Sequence, residues 1–136
     1  MMKKADIAID TFNNNRNCAQ SVVGAYAEQY NLDKDSLYRL ATAFGGGMGH
    51  SNGVCGAISG GLMVLGLKQL DKETTYAQTR HLMDEFIKRN GTRDCEKLIG
   101  VDLMTEEGKK KFKLEGTKKK VCEKCIADVI EIIENG

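Results

Sequence analysis

Cysteine is the residue type through which this chain could do chemistry. Five of its 136 residues are cysteine: Cys18, Cys55, Cys95, Cys122 and Cys125. Three directly follow a residue or loop suited to a helix start: Asn17 before Cys18, Asp94 before Cys95, and the run GGGMGHSNGV before Cys55. Unpaired backbone N–H groups and the positive end of the helix dipole face such a position. A thiolate is stabilised there, so a cysteine pKa is expected to fall from roughly 8.5 into the range of about 3.5–7.5. Cys55 is the strongest case, because Asp94 opposes a thiolate at Cys95. A low-pKa thiolate attacks disulfides and also binds metals. The leading expectation is thiol–disulfide exchange or electron transfer, with Cys55 attacking and Cys18 or Cys95 resolving.

Cys122 and Cys125 form CEKC. On a helix they lie one turn apart on the same face, within reach of a disulfide or a shared metal. Ile126 follows instead of histidine, so the motif is not a c-type haem site. The alternative expectation is a binding protein in which Cys18, Cys55, Cys95 and Cys122 hold zinc or an iron–sulfur cluster. Their separations of 37, 40 and 27 residues lack the paired knuckles of structural zinc. A chain with no cofactor fits the sequence as well. For any one of the five, burial as a small hydrophobe is the plain reading. The glycine run matches neither the Walker pattern nor GxGxxG after a strand, which argues against a phosphate site. His50 reads as a solvated loop residue before a base or metal ligand beside Cys55. His81, near Arg80 and Asp84, reads as surface.

The elements that position these thiols read as helices. The chain has no proline and its apolar residues recur with helical spacing. Helices are expected over 3–12, from an Asn17 cap to about Tyr30, and from Asp33 or Asp35 to Phe44. The glycine loop runs to Gly53. A fourth helix from about Val54 to Leu70 is apolar around most of its circumference and should be central and buried. A fifth, capped by Asp71, covers Lys72 to Lys88 and presents Tyr76, Leu82, Met83, Phe86 and Ile87. Asp94 opens a short turn holding Cys95. The lysine-rich stretch 105–120 is expected to be a solvated connection, with a basic patch for an anionic partner as the other reading. The last helix, Lys118 to Glu134, aligns Cys122 and Cys125 with Val129, Ile132 and Ile133. Gly56 and Gly60 lie on one face, which suits a close backbone approach, a bound group or an oligomer contact.

The predicted fold is all-α: a compact single-domain bundle of about five to six helices over residues 1–136, with the glycine-rich loop before a buried central helix. Twenty basic against nineteen acidic residues give a net charge of +1, so nothing argues for nucleic acid. No stretch reads as a membrane span or a signal peptide, so a cytoplasmic location is expected. In that compartment cysteines are more often catalytic or metal-binding than structural. The expected partner is a redox protein or a small thiol, and the protein is expected to be a thiol-dependent oxidoreductase if it turns over.

The order Cys18 in NCAQSV, then CGAISG from Cys55 to Gly60, then Cys95 in RDCEKLIG, then a C-terminal cysteine helix resembles the C_GCAxxG_C_C family. These are small redox-active proteins with a CGAxxG motif and four characteristic cysteines. The resemblance spans nearly the whole chain and implies a redox role without naming a substrate. By position, Cys18, Cys55 and Cys95 match the first three family cysteines, and Cys122 is the better match for the fourth. Cys125 is then an addition, or the fourth member if that match shifts by a turn. Some relatives carry haem, but this chain lacks CxxCH, so the resemblance does not imply haem binding.

Overall fold

The computed structural model describes residues 3–135; Met1, Met2 and Gly136 lie outside the described residues. Eight right-handed α-helices account for most of them: α1 (Lys4–Phe12), α2 (Cys18–Gly24), α3 (Lys34–Ala41), α4 (Gly56–Leu67), α5 (Lys72–Asn90), α6 (Cys95–Ile99), α7 (Glu106–Leu114) and α8 (Glu123–Asn135). The all-α expectation holds, but the count exceeds five to six.

Side-chain caps set four of the eight helix starts. Asn17 accepts from the Gln20 N–H while the Gln20 side chain accepts from the Asn17 N–H, a reciprocal cap on α2. Asp33 caps α3 through Ser36, and Asp71 caps α5 through Thr74. Gly91 ends α5 in the left-handed conformation, at φ 83°. The helix after Asn17 stops at Gly24 rather than Tyr30, and turns carry the chain onward.

The additional helix is α7, in the stretch read as a loose connection. Thr105 accepts from the Gly108 N–H, Glu106 and Glu107 fill the first turn, and Lys111 and Lys113 the last. That is the charge order the helix dipole favours. The chain then makes a π-helical turn, Lys118–Cys122, before α8 continues.

The core gathers where α4 meets α2, α5 and α8. Ile58, Val64, Val22, Leu82, Phe86, Ile126 and Val129 are almost entirely buried there. The glycines of α4 permit this closeness. A Cβ on Gly60 would stand 2.6 Å from the Ala19 carbonyl oxygen, and one on Gly61 2.6 Å from Val129 Cγ1. The Gly56/Gly60 face is therefore filled by the chain itself and offers no oligomer contact. On α5 only Leu82 and Phe86 are buried; Tyr76 and Ile87 are exposed, so its apolar face is narrower than the sequence suggests. A smaller apolar group, Ile99, Val101 and Leu103 with Phe112 and Val121, joins α6 and α7 beside Cys95 and Cys122. No helix among the described residues is long and apolar enough to cross a membrane.

Candidate functional site

A cavity of about 820 Å³ opens beside the N-terminus of α4, and all five cysteines line it. They arrive from five places. Cys18 begins α2, Cys55 caps α4, Cys95 begins α6, Cys122 ends the π turn and Cys125 lies on α8. All five thiols are free. Cys55, Cys95 and Cys125 are buried, whereas Cys18 and Cys122 are half-buried.

Three local devices bring them together. The first is a single antiparallel bridge between Val54 and Asp94. Across it the Cys55 N–H donates to the Arg93 carbonyl at 2.8 Å, and the Cys95 N–H to the Gly53 carbonyl at 2.9 Å. This ties the start of α4 to the start of α6. The second is the absent side chain of Gly56, whose place the Cys18 sulfur occupies: a Cβ there would stand 2.5 Å from it.

The third is the glycine run, which is an ordered turn rather than an open loop. Residues Gly46 to His50 wind left-handed, with φ between 61° and 70°. Left-handed winding costs an ordinary residue roughly 1–2 kcal/mol. Gly46, Gly47 and Gly49 avoid that cost, while Met48 and His50 bear it. The turn closes on the Gly47 carbonyl, which accepts from Ser51 at 3.2 Å and Gly53 at 2.9 Å. Gly47 packs against the Cβ of Cys95, and the backbone of Gly46 favours the Cys18 thiolate.

The electrostatics reverse the expected low thiol pKa values. Cys55 does stand at a helix start, and the N–H groups of Ala57 and Ile58 favour its thiolate. A hydrogen bond to Cys125, then burial, then the charge of Cys125 outweigh them and hold its pKa well above the usual thiol range. Burial, then Cys55, pushes Cys18 up to about 11. Burial, then Cys55 and Cys18, pushes Cys95 up to about 12. Cys122 is raised by burial and then by Cys18, Cys55 and Cys95, with Lys118 opposing. Desolvation and mutual repulsion of like charges win over the helix dipole, whose effect is limited to the first turn.

Every cysteine singled out in the sequence thus lies at this one site. Cys125 has the largest influence on the Cys55 thiol, while Cys18 and Cys95 line the same cavity. Asp94 sits at the start of α6 but makes no side-chain cap; it pairs with Lys97 at 3.6 Å. Cys18, Cys55, Cys95 and Cys122 are spread around the cavity, and among the described residues no three His, Cys, Asp or Glu side chains are grouped to hold one metal ion. His50 is exposed at the cavity edge, over Gly46, and His81 is exposed on α5. The sequence reading missed Lys109, Lys110, Lys113 and Lys118, which also line the cavity. Their signal was the spacing 106, 109, 110 and 113, which places four charged residues along one helical face.

Comparison with known proteins agrees with this cysteine pattern. Residues 16–135 match the family described as "Putative redox-active protein (C_GCAxxG_C_C)". An uncharacterized protein of Archaeoglobus fulgidus is 28% identical over 120 residues, covering 76% of this chain and 80% of the relative. No solved structure matches the chain.

Proposed function

The chain belongs to the C_GCAxxG_C_C family, and on that premise we propose that it is a thiol redox protein whose working pair is Cys55 and Cys125. What supports this reading is that Cys125 has the largest influence on the Cys55 thiol and that both line a cavity with three further free thiols. One thiol of the pair, once deprotonated, attacks the sulfur of an incoming disulfide. The substrate S–S bond breaks, a mixed disulfide forms, and the departing thiolate takes up a proton. The second thiol of the pair then displaces the remaining substrate sulfur. In sum two protein S–H bonds become one S–S bond, and two electrons and two protons reduce the substrate disulfide to two thiols. Cys18, Cys95 and Cys122 line the same cavity and would serve onward exchange.

The test is oxidation of the reduced protein by a stoichiometric small disulfide, followed by peptide mapping. A Cys55–Cys125 bridge, lost in Cys55→Ser and in Cys125→Ser, is expected. A bridge confined to Cys122–Cys125, or none at all, would overturn the assignment.

A second reading is a cysteine-ligated zinc or iron–sulfur centre. Four thiolates suit either centre and Cys18, Cys55, Cys95 and Cys122 line one cavity, but as they stand no three of them are grouped around one metal position. Stoichiometric iron or zinc after anaerobic purification, lost in Cys55→Ser, would replace the exchange reading with this one.

A further inference from the structure

The cavity has a charged side that the redox pair does not use. Lys109, Lys110 and Lys113 of α7 and Lys118 of the π turn line it, against one acid, Glu106. Glu106 already pairs with Lys109 at 3.7 Å, in solvent. Lys118 lies over the Phe12 ring, 4.6 Å from its centroid, so its ammonium is held at the site. Leu98, Ile99, Leu103 and Phe112 supply apolar wall, and the cysteines supply the reactive sulfur. The net charge of the whole chain is only +1, so this concentration of lysines is local rather than a property of the surface at large.

A volume of about 820 Å³ falls within the roughly 300–1,000 Å³ of small-molecule sites. A concave site lined by one sign of charge raises the local concentration of oppositely charged ligands. Building on the exchange reading, we propose that the substrates of this site are small disulfides bearing several carboxylates. Their anionic ends rest on the lysines of α7 and Lys118, and their sulfur–sulfur bond lies over Cys55 and Cys125. The site selects against neutral and cationic disulfides of similar size. The reaction is the one already written: the ligand disulfide gains two electrons and two protons and leaves as two thiols, while the protein dithiol becomes a disulfide.

The experiment reacts fully reduced protein with three probes: glutathione disulfide (anionic), hydroxyethyl disulfide (neutral) and cystamine (cationic). Protein thiol loss is followed by acid quench and mass spectrometry. Each rate is divided by that of the same probe with dithiothreitol, which removes differences in intrinsic reactivity. The anionic probe is expected to lead by about tenfold or more at low salt, and to lose its lead as salt is raised. The triple variant Lys109→Gln, Lys110→Gln, Lys113→Gln should lose the same advantage while keeping the rate with hydroxyethyl disulfide. Equal normalised rates for the three probes, or an unchanged lead in the lysine variant, would overturn the inference and leave the exchange reading standing. No protein disulfide with any probe would overturn both.

Discussion

The sulfur of Cys18 occupies the space beside Gly56 that any larger residue would fill, 2.5 Å from where a Cβ would stand. The glycine after Cys55 in CGAISG is therefore a packing requirement of a different cysteine. Gly56→Ala also meets the Phe44 carbonyl oxygen at 2.9 Å, so the sulfur alone cannot relieve the clash. We expect a loss of about 1–3 kcal/mol in urea unfolding, the usual range for overpacking. Cys18 should become more readily alkylated as it is pushed outward. Unchanged stability and unchanged Cys18 labelling would contradict this account.

Glycines of this chain divide by what surrounds them. Gly47→Ala places a Cβ 2.6 Å from the Cβ of Cys95 at φ 70°, adding left-handed strain of roughly 1–2 kcal/mol to a clash. It should lower the melting temperature and loosen Cys95. Gly66, exposed on α4, has nothing within 4 Å and no positive φ. Gly66→Ala should raise stability by about 0.5–1 kcal/mol. Equal effects of the two substitutions would show that the left-handed turn carries no special constraint.

The hydrogen bond to Cys125 is the largest influence holding the proton on Cys55. Cys125→Ala should let Cys55 ionise at lower pH and be alkylated several-fold faster, at a stability cost of about 1 kcal/mol from the small cavity left behind. Peptide-resolved iodoacetamide labelling measures the rate site by site. Slower labelling of Cys55 in this variant would reverse the assigned direction.

Raised thiol pKa values predict weakening in alkali. From the ordinary 9.0, Cys18 is raised to about 11 and Cys95 to about 12 in the folded protein. Above pH 9 the unfolded chain releases protons that the folded chain retains, so stability falls with rising pH. This contribution is complete below pH 9 and is lost as pH climbs through the folded values. The urea midpoint should drop across that window, and drop less in a Cys18→Ala, Cys95→Ala variant. Parallel pH profiles for the two proteins would exclude the thiols as the cause.

Much of the architecture was legible because it is local. Asn17, Asp33, Asp71 and Gly91 begin or end helices through bonds reaching three or four residues, and those partners stand side by side in the sequence. The apolar circumference of α4 announced its burial for the same reason. The Thr105 cap of α7 was just as local, but the run of lysines after it resembled solvated chain. The winding from Gly46 to His50 was not legible, since glycine permits either hand, and contacts with Cys95 and Gly53 select one.

By itself the sequence determined a helical protein with five cysteines. It placed Cys18, Cys55 and Cys95 at helix starts, because a cap and its helix are neighbours along the chain. Only the tertiary structure decided that the five thiols share one cavity, that Cys125 has the largest influence on the Cys55 thiol, and that lysines of α7 line the same cavity. It also decided the sign of the pKa shifts. A helix terminus acts over one turn and can be read locally, whereas desolvation and the charges of other thiols come from residues distant in the chain, and here they are the larger effect.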